Sequence, residues 1–287
     1  MSKAMALDFE MLNDLQELWS EKKWEFPTIE QSQLAFDAFC AMISQLSSKD
    51  EQKFVLALTK SYKRYSLNSY SLMLIKALRS IEDCDLVGIR NIVFAPLINP
   101  SDEHIGKSKS GQALPYIAEH VAAPLTEKFN GLVISAISTP TALPPILNSS
   151  ETLLILLDDF IGSGDTAKNA VWGLIDKPVT NKVKYLVVVV AAMRHAIDFL
   201  GGYNINVRCG DVLTKGIAEN EFFVDKAIAY SLVDAIEAEL DVGFDYRRGY
   251  KRSEALVSML RTPDNTFPMY WCKKRVNDRV WSAPFPR

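Results

Sequence analysis

The 287-residue sequence has no apolar run of the roughly 20 residues that cross a bilayer. Its longest candidate, VKYLVVVVAAM (183–193), reads as a buried strand, and no membrane association is expected. The N-terminal stretch MSKAMALDFEMLNDL alternates charged and apolar residues and has no signal-peptide h-region. Cysteine is scarce. Cys40, Cys84, Cys209 and Cys272 lie far apart, with no CxxC pair and no His/Cys metal spacing. That excludes a disulfide framework and a zinc site, and predicts reduced thiols in a cytoplasmic protein. Internal repeats and low-complexity segments are absent. A net charge of −3 argues against a nucleic-acid binder overall. With 48% hydrophobic and 23% charged residues, the composition is that of an ordinary globular chain, either one large domain or a core with an appendage.

Residues 1–85 carry helical periodicity and little else. Met11, Leu12, Leu15, Leu18 and Trp19 form one stripe, Ala35, Phe39, Met42, Ile43 and Leu46 a second, and Leu74, Ile75, Leu78 and Ile81 a third. Thr28 with Gln31, and Ser48 with Glu51, have the spacing of capping boxes. This part reads as an N-terminal helical module, packed through its aromatic and Met residues or used to bind a partner or dimerise.

The pattern changes after Asp85. Strands are expected at GIRNIVFAPLI (88–98), GLVISAIS (131–138), LLILL (153–157), YLVVVVAA (185–192) and INVRC (205–209), with a helix from Gln112 to Lys128 among the helical runs between them. Strands alternating with helices predict an α/β fold, a doubly wound, mainly parallel sheet with its ligand at the carboxyl ends of the strands. The expected organisation is a helical module over 1–85, an α/β core over 86–240 and a C-terminal segment over 241–287 that completes the site or binds a partner.

The core is organised around LLILLDDFIGSGDTA (153–167). Five apolar residues run into Asp158 and Asp159. A small-residue loop follows, Gly162-Ser163-Gly164-Asp165-Thr166, and then an amphipathic run with Ala167, Ala170, Val171 and Leu174. Such a loop at a helix N-terminus presents outward N–H groups to a phosphate, and Ser163 and Thr166 add hydroxyls. Two carboxylates would repel a phosphate. They suit vicinal ribose hydroxyls or a divalent metal bridging sugar and pyrophosphate. Donors for phosphate beside acceptors for a diol describe a sugar-phosphate site.

The run Asp158-Asp159-Phe160-Ile161-Gly162-Ser163-Gly164-Asp165-Thr166 resembles the PRPP-binding signature of type I phosphoribosyltransferases, two acids and two apolar residues followed by a Ser/Thr-Gly-x-Thr loop. The resemblance implies Mg²⁺ as cofactor. It gives Asp158 and Asp159 the ribose hydroxyls or the metal's coordination shell, and Gly162, Ser163, Gly164, Asp165 and Thr166 the 5′-phosphate. Gly162 stands where purine-salvage members often carry an acid, which argues against a simple salvage enzyme. Asp165 stands where relatives usually have Gly or Lys, and sets a negative charge beside the expected phosphate. In this family a short loop after the first core strand takes the leaving pyrophosphate. Here the corresponding stretch offers Lys107, Ser108, Lys109, Ser110 and Gly111, which is also the composition of a plain polar surface loop. Arg194 and His195 follow the fourth strand. Arg194 could reach pyrophosphate, whereas His195 fits a helix-capping or surface position better.

In the C-terminal segment, Thr262-Pro263-Asp264-Asn265-Thr266-Phe267-Pro268 and Trp271 are similar to a signature of divergent phosphoribosyltransferase-like proteins of bacterial conflict and antiphage loci, some beside retron reverse transcriptases. That likeness implies an antiphage effector. It also implies a protein or nucleic-acid partner, such as a reverse transcriptase complex. Asn265 would fix a rigid loop and Trp271 offer a stacking face, together a base-binding pair, or else the stretch is a structural turn with a buried Trp. The basic residues Arg247, Arg248, Lys251, Arg252, Arg261, Lys273, Lys274, Arg275 and Arg279 are a solvated face, a wall for phosphates, or a docking surface for nucleic acid. No residue is identifiable that would activate an acceptor. The expected function is a phosphoribosyltransferase-like enzyme acting at C1′ of PRPP or a nucleotide. The alternative is a silent ribose-phosphate sensor or scaffold.

Overall fold

The computed structural model describes residues 7–98, 113–175, 177–273, 275–276 and 279–287. They form two compact units, one of Met1–Ser66 with Thr214–Arg287 and one of Leu67–Leu213.

In the first unit, α1 (Phe9–Lys22), α2 (Ile29–Gln45) and α3 (Lys49–Thr59) each bury one stripe. Their starts are fixed by side chains that satisfy orphan N–H groups. The Asp8 carboxylate accepts from the Met11 N–H, the Thr28 hydroxyl from the Gln31 N–H, and Ser48 with Glu51 forms a full capping box. Each cap contributes about 1 kcal/mol. A short strand, β1 (Lys63–Arg64), closes this part.

The second unit begins with α4 (Leu67–Arg79) and α5 (Asp83–Leu86) and continues with β2 (Asn91–Pro96), α6 (Leu114–Ile117), β3 (Val133–Ala136) and β4 (Thr152–Ile161). It ends with α7 (Asp165–Ile175), β5 (Lys184–Met193), α8 (Arg194–Gly201) and β6 (Val207–Leu213). The five strands make one sheet in the order β3-β2-β4-β5-β6, every neighbouring pair parallel. The α/β architecture expected from the alternating pattern is therefore present. β4 lies at its centre, and Leu153–Leu157 are buried, as suits a strand covered on both faces. From α4, the stripe of Tyr70, Leu74, Ala77 and Leu78 is buried.

The chain then returns to the first unit with α9 (Lys226–Glu239) and β7 (Val257–Ser258), which pairs in parallel with β1. Phe39, Ile43, Leu58 and Tyr62 share one core with Val233, Phe267, Tyr270 and Phe285.

The two compact units divide the chain after Ser66 and after Leu213; α4 belongs with the sheet, and the N-terminal helices build their core with the C-terminal segment. One expectation is drawn differently. Of the helix expected over 112–128, the described residues are α-helical only over Leu114–Ile117, then π-helical over Ala118–Ala122 and 3₁₀ over Ala123–Leu125. Pro124 has no N–H to continue an α-helix and clashes with the preceding turn. Among the described residues, no helix is long and apolar enough to cross a membrane.

Candidate functional site

The carboxyl end of β4 carries the two acids. Successive strand residues face opposite sides of a sheet, so the adjacent carboxylates meet different surroundings. Asp159 is 7% exposed, and its Oδ2 accepts a hydrogen bond of 3.0 Å from the buried Tyr70 hydroxyl on α4. Asp158 is half-buried, and its Oδ1 accepts the Asp159 backbone N–H at 2.8 Å. The sequence treats the pair as equivalent, but the fold does not. Asp159 ties the central strand to α4, whereas Asp158 lies nearer solvent at the strand's end.

β4 passes through Ile161 into the loop. Gly164 adopts φ +87, a left-handed conformation that favours glycine. A Cβ there would lie 2.8 Å from Phe199 Cδ1 and 3.3 Å from Leu200 Cγ, so α8 also limits this position to glycine. The Gly164 carbonyl accepts the Lys168 N–H at 2.9 Å, which starts α7. The Ser163 hydroxyl donates to Asp165 Oδ2 at 2.7 Å, holding that carboxylate at the helix mouth. Thr166 is exposed one residue further on. Ala167, Ala170, Val171 and Leu174 form the buried stripe expected of this helix.

Lys168, one turn into α7, has its ammonium 5.1 Å from the Trp172 ring centre, 5.7 Å from Phe199 and 5.1 Å from Tyr203. A cation over ring faces is attracted by their quadrupoles, so this lysine staples α7 to α8 beside the loop. Neither Tyr70 nor Lys168 is singled out by the sequence. Tyr70 leads the apolar stripe of α4, and Lys168 is spaced four residues from Trp172. Both signals exist, but neither names its partner.

At the end of the adjacent strand β5, Arg194 opens α8 and is exposed, with the half-buried His195 next to it. Arg194 also acts on Cys209 of β6. Burial and then the Asp211 charge push that thiol up, while Lys76 and Arg194 pull it down. The net rise keeps Cys209 a thiol and a poor nucleophile.

The fold thus gathers Asp158, Asp159, Gly162–Thr166 and Arg194 at the carboxyl edge of one sheet. Lys107, Lys109, Ser110 and Gly111, the expected pyrophosphate loop, lie outside the described residues. Asn265 and Trp271 belong to the first unit. The Asn265 amide donates to Ser253 Oγ at 2.9 Å and to the Tyr250 carbonyl at 3.4 Å, and the Trp271 indole N–H donates to the Thr266 carbonyl at 2.7 Å.

No group of three or more His, Cys, Asp or Glu side chains among the described residues could hold a metal by protein ligands alone. Mg²⁺ retains several waters and binds through one or two carboxylates together with substrate phosphates. The half-buried Asp158 fits that demand.

A protein-family model described as PRTase-CE matches residues 37–287, and no curated protein matches the chain.

Proposed function

This chain belongs to the PRTase-CE family, and on that premise we propose that its sheet edge binds the 5-phosphoribosyl group of PRPP or of a nucleotide and transfers it at C1′. The observation that supports this most is the continuity of β4 with its loop. One strand delivers a half-buried carboxylate, Asp158, and a few residues later the left-handed Gly164 opens the N-terminus of α7. A diol acceptor and a phosphate cradle are thereby held on one rigid element, as orienting a ribose 5-phosphate requires.

Breaking a bond at C1′ leaves positive charge on the ribose and negative charge on the leaving group. Fixed position and stabilised charge matter more here than a protein nucleophile. Asp158 would orient the ribose hydroxyls and share the metal. The loop N–H groups and the Thr166 hydroxyl would hold the 5′-phosphate, and Arg194, exposed at the next strand end, would meet negative charge there. Mg²⁺, when bound, would neutralise charge on the pyrophosphate and hydroxyl oxygens.

A second reading, a ribose-phosphate sensor without turnover, is favoured by two specific features. Asp159 is engaged by Tyr70, and Asp165 presents a carboxylate where the phosphate would sit. Incubation with Mg²⁺ and PRPP plus a panel of nucleobase acceptors, or with nucleotides plus pyrophosphate, so that the phosphoribosyl group has somewhere to go, followed by chromatography for released pyrophosphate or base, separates the readings. The enzyme reading predicts release that disappears in Asp158→Asn, while saturable binding without release selects the sensor. The antiphage role rests on the C-terminal likeness alone. It predicts that phage plating falls in bacteria carrying the wild-type gene and recovers with Asp158→Asn.

A further inference from the structure

We infer that the first unit carries a second ligand surface, a ring-and-cation face around residues 244–252 and Trp271 that takes single-stranded nucleic acid. Tyr246 is its centre. Its ring lies 5.8 Å from that of Tyr250 and 6.4 Å from that of Trp271. Both neighbouring rings bear a cation, with Lys251 6.0 Å from the Tyr250 centre and Arg287 5.8 Å from that of Trp271, and Arg252 lies 5.6 Å from the ring of Phe244, two residues before Tyr246. Phe244 is 72% exposed and Tyr246 38%, so ring surface is open to solvent.

The backbone supports a purpose for this display. Arg248, Lys251, Arg252 and Glu254 are all left-handed, with φ of 57, 55, 55 and 50. Side chains with a Cβ adopt that region at a cost, and such residues cluster where a loop must hold a particular shape. Several bonds hold it here. The Tyr250 N–H donates to the Asp264 carbonyl at 2.8 Å, the Arg252 N–H to the Gly249 carbonyl at 2.8 Å, and the Glu254 N–H to the Arg248 carbonyl at 2.8 Å. Gly249, φ +78, lies so close to the Asn265 backbone that a Cβ would fall 1.9 Å from its carbonyl oxygen. The Asn265 backbone thus packs directly against the loop. The outcome is a fixed turn with the exposed Lys251 and Arg252 at its tip.

Rings beside cations are the two halves of single-strand binding. Unpaired bases stack on aromatic faces, and the phosphates between them are met by ammonium and guanidinium groups. A duplex hides its base faces and offers only phosphates to such a surface. Arg287 is ion-paired with Asp264 at 2.8 Å and flanks Trp271, while the exposed Lys251 and Arg252 at the tip of the turn face solvent, where phosphates would lie. This surface is independent of the phosphoribosyl reading of the sheet edge.

The test is fluorescence anisotropy of the full chain with labelled oligo(dT) and oligo(U) of about 15 nucleotides, close to the upper site size of single-strand binders. The expected result is saturable binding of one or both, with a log–log salt slope of about −1.4 for the two phosphate contacts. A duplex of equal length should compete far less well. Phe244→Ala combined with Tyr246→Ala should weaken binding about tenfold or more with an unchanged circular dichroism spectrum. Lys251→Asn, a residue that tolerates the left-handed backbone, should flatten the salt slope. Absence of binding at low salt overturns the inference. So does a duplex, or a polyphosphate of equal charge, competing as well as the single strand, since the rings would then play no part.

Discussion

The Tyr70 hydroxyl donates to Asp159 Oδ2 at 3.0 Å, and this bond makes the two neighbouring acids of the central strand unlike each other. Asp159 is buried against α4, while Asp158 is half-buried at the strand's end. Tyr70→Phe should therefore lower stability by about 1–3 kcal/mol, the cost of leaving a buried carboxylate without its donor. Asp158→Asn should stay within about 0.5 kcal/mol of wild type. Urea unfolding of both variants checks the contrast, and equal losses would contradict it.

Gly164→Ala should destabilise the protein by at least about 2 kcal/mol. The added methyl meets Phe199 at 2.8 Å on a backbone already at φ +87. The urea midpoint should fall with an unchanged slope. A variant as stable as wild type would mean that the loop has another conformation.

Lys168→Met keeps the aliphatic stem and removes the charge. It should cost about 0.5–2 kcal/mol through the lost attraction to Trp172, Phe199 and Tyr203. A double-mutant cycle with Trp172→Leu should show coupling between the two. Additive losses would show that the ammonium gains nothing from the ring.

Glu237 gives the pH dependence a direction. It is fully buried, its Oε2 accepts the Arg248 N–H at 2.7 Å, and burial pushes its carboxyl from 4.5 up to about 8. A raised folded value means that the unfolded chain releases this proton first. The group's contribution is complete below about 4.5 and is lost as pH rises toward about 8, at up to roughly 1.4 kcal/mol per pH unit. Glu237→Gln should remove that slope. Unfolding free energies measured at about pH 5, 6.5 and 8 decide it, and an identical slope in the variant would rule Glu237 out as its source.

The sheet was legible in the sequence because its central strands are uninterrupted apolar runs. LLILL and YLVVVVAA read as buried strands at once. Leu186, Val187 and Val188 stand opposite Ile155, Leu156 and Leu157 in the parallel register, so the two runs lie side by side. The caps at Thr28 and Ser48 and the loop at Gly162–Thr166 were legible too, because each depends on residues a few positions apart.

What stayed hidden depends on long-range pairing. Tyr70 and Asp159 are 89 residues apart, and a buried stripe tells that a helix packs but not on what. For the same reason the two ends of the chain did not announce that Tyr62 and Tyr270 share a core, with ring centres 4.7 Å apart. The α-helix expected over 112–128 is broken among the described residues for a local reason, since apolar periodicity points to a continuous helix while Pro124 cannot donate to one.

Calorimetric titration of PRPP with Mg²⁺ into wild type and Asp158→Asn tests the central claim most directly. The account predicts saturable binding by the wild type and at least about a tenfold loss in a variant that unfolds at the same urea concentration. No binding to the wild type, or equal affinity in both proteins, would contradict a phosphoribosyl site at the end of the central strand.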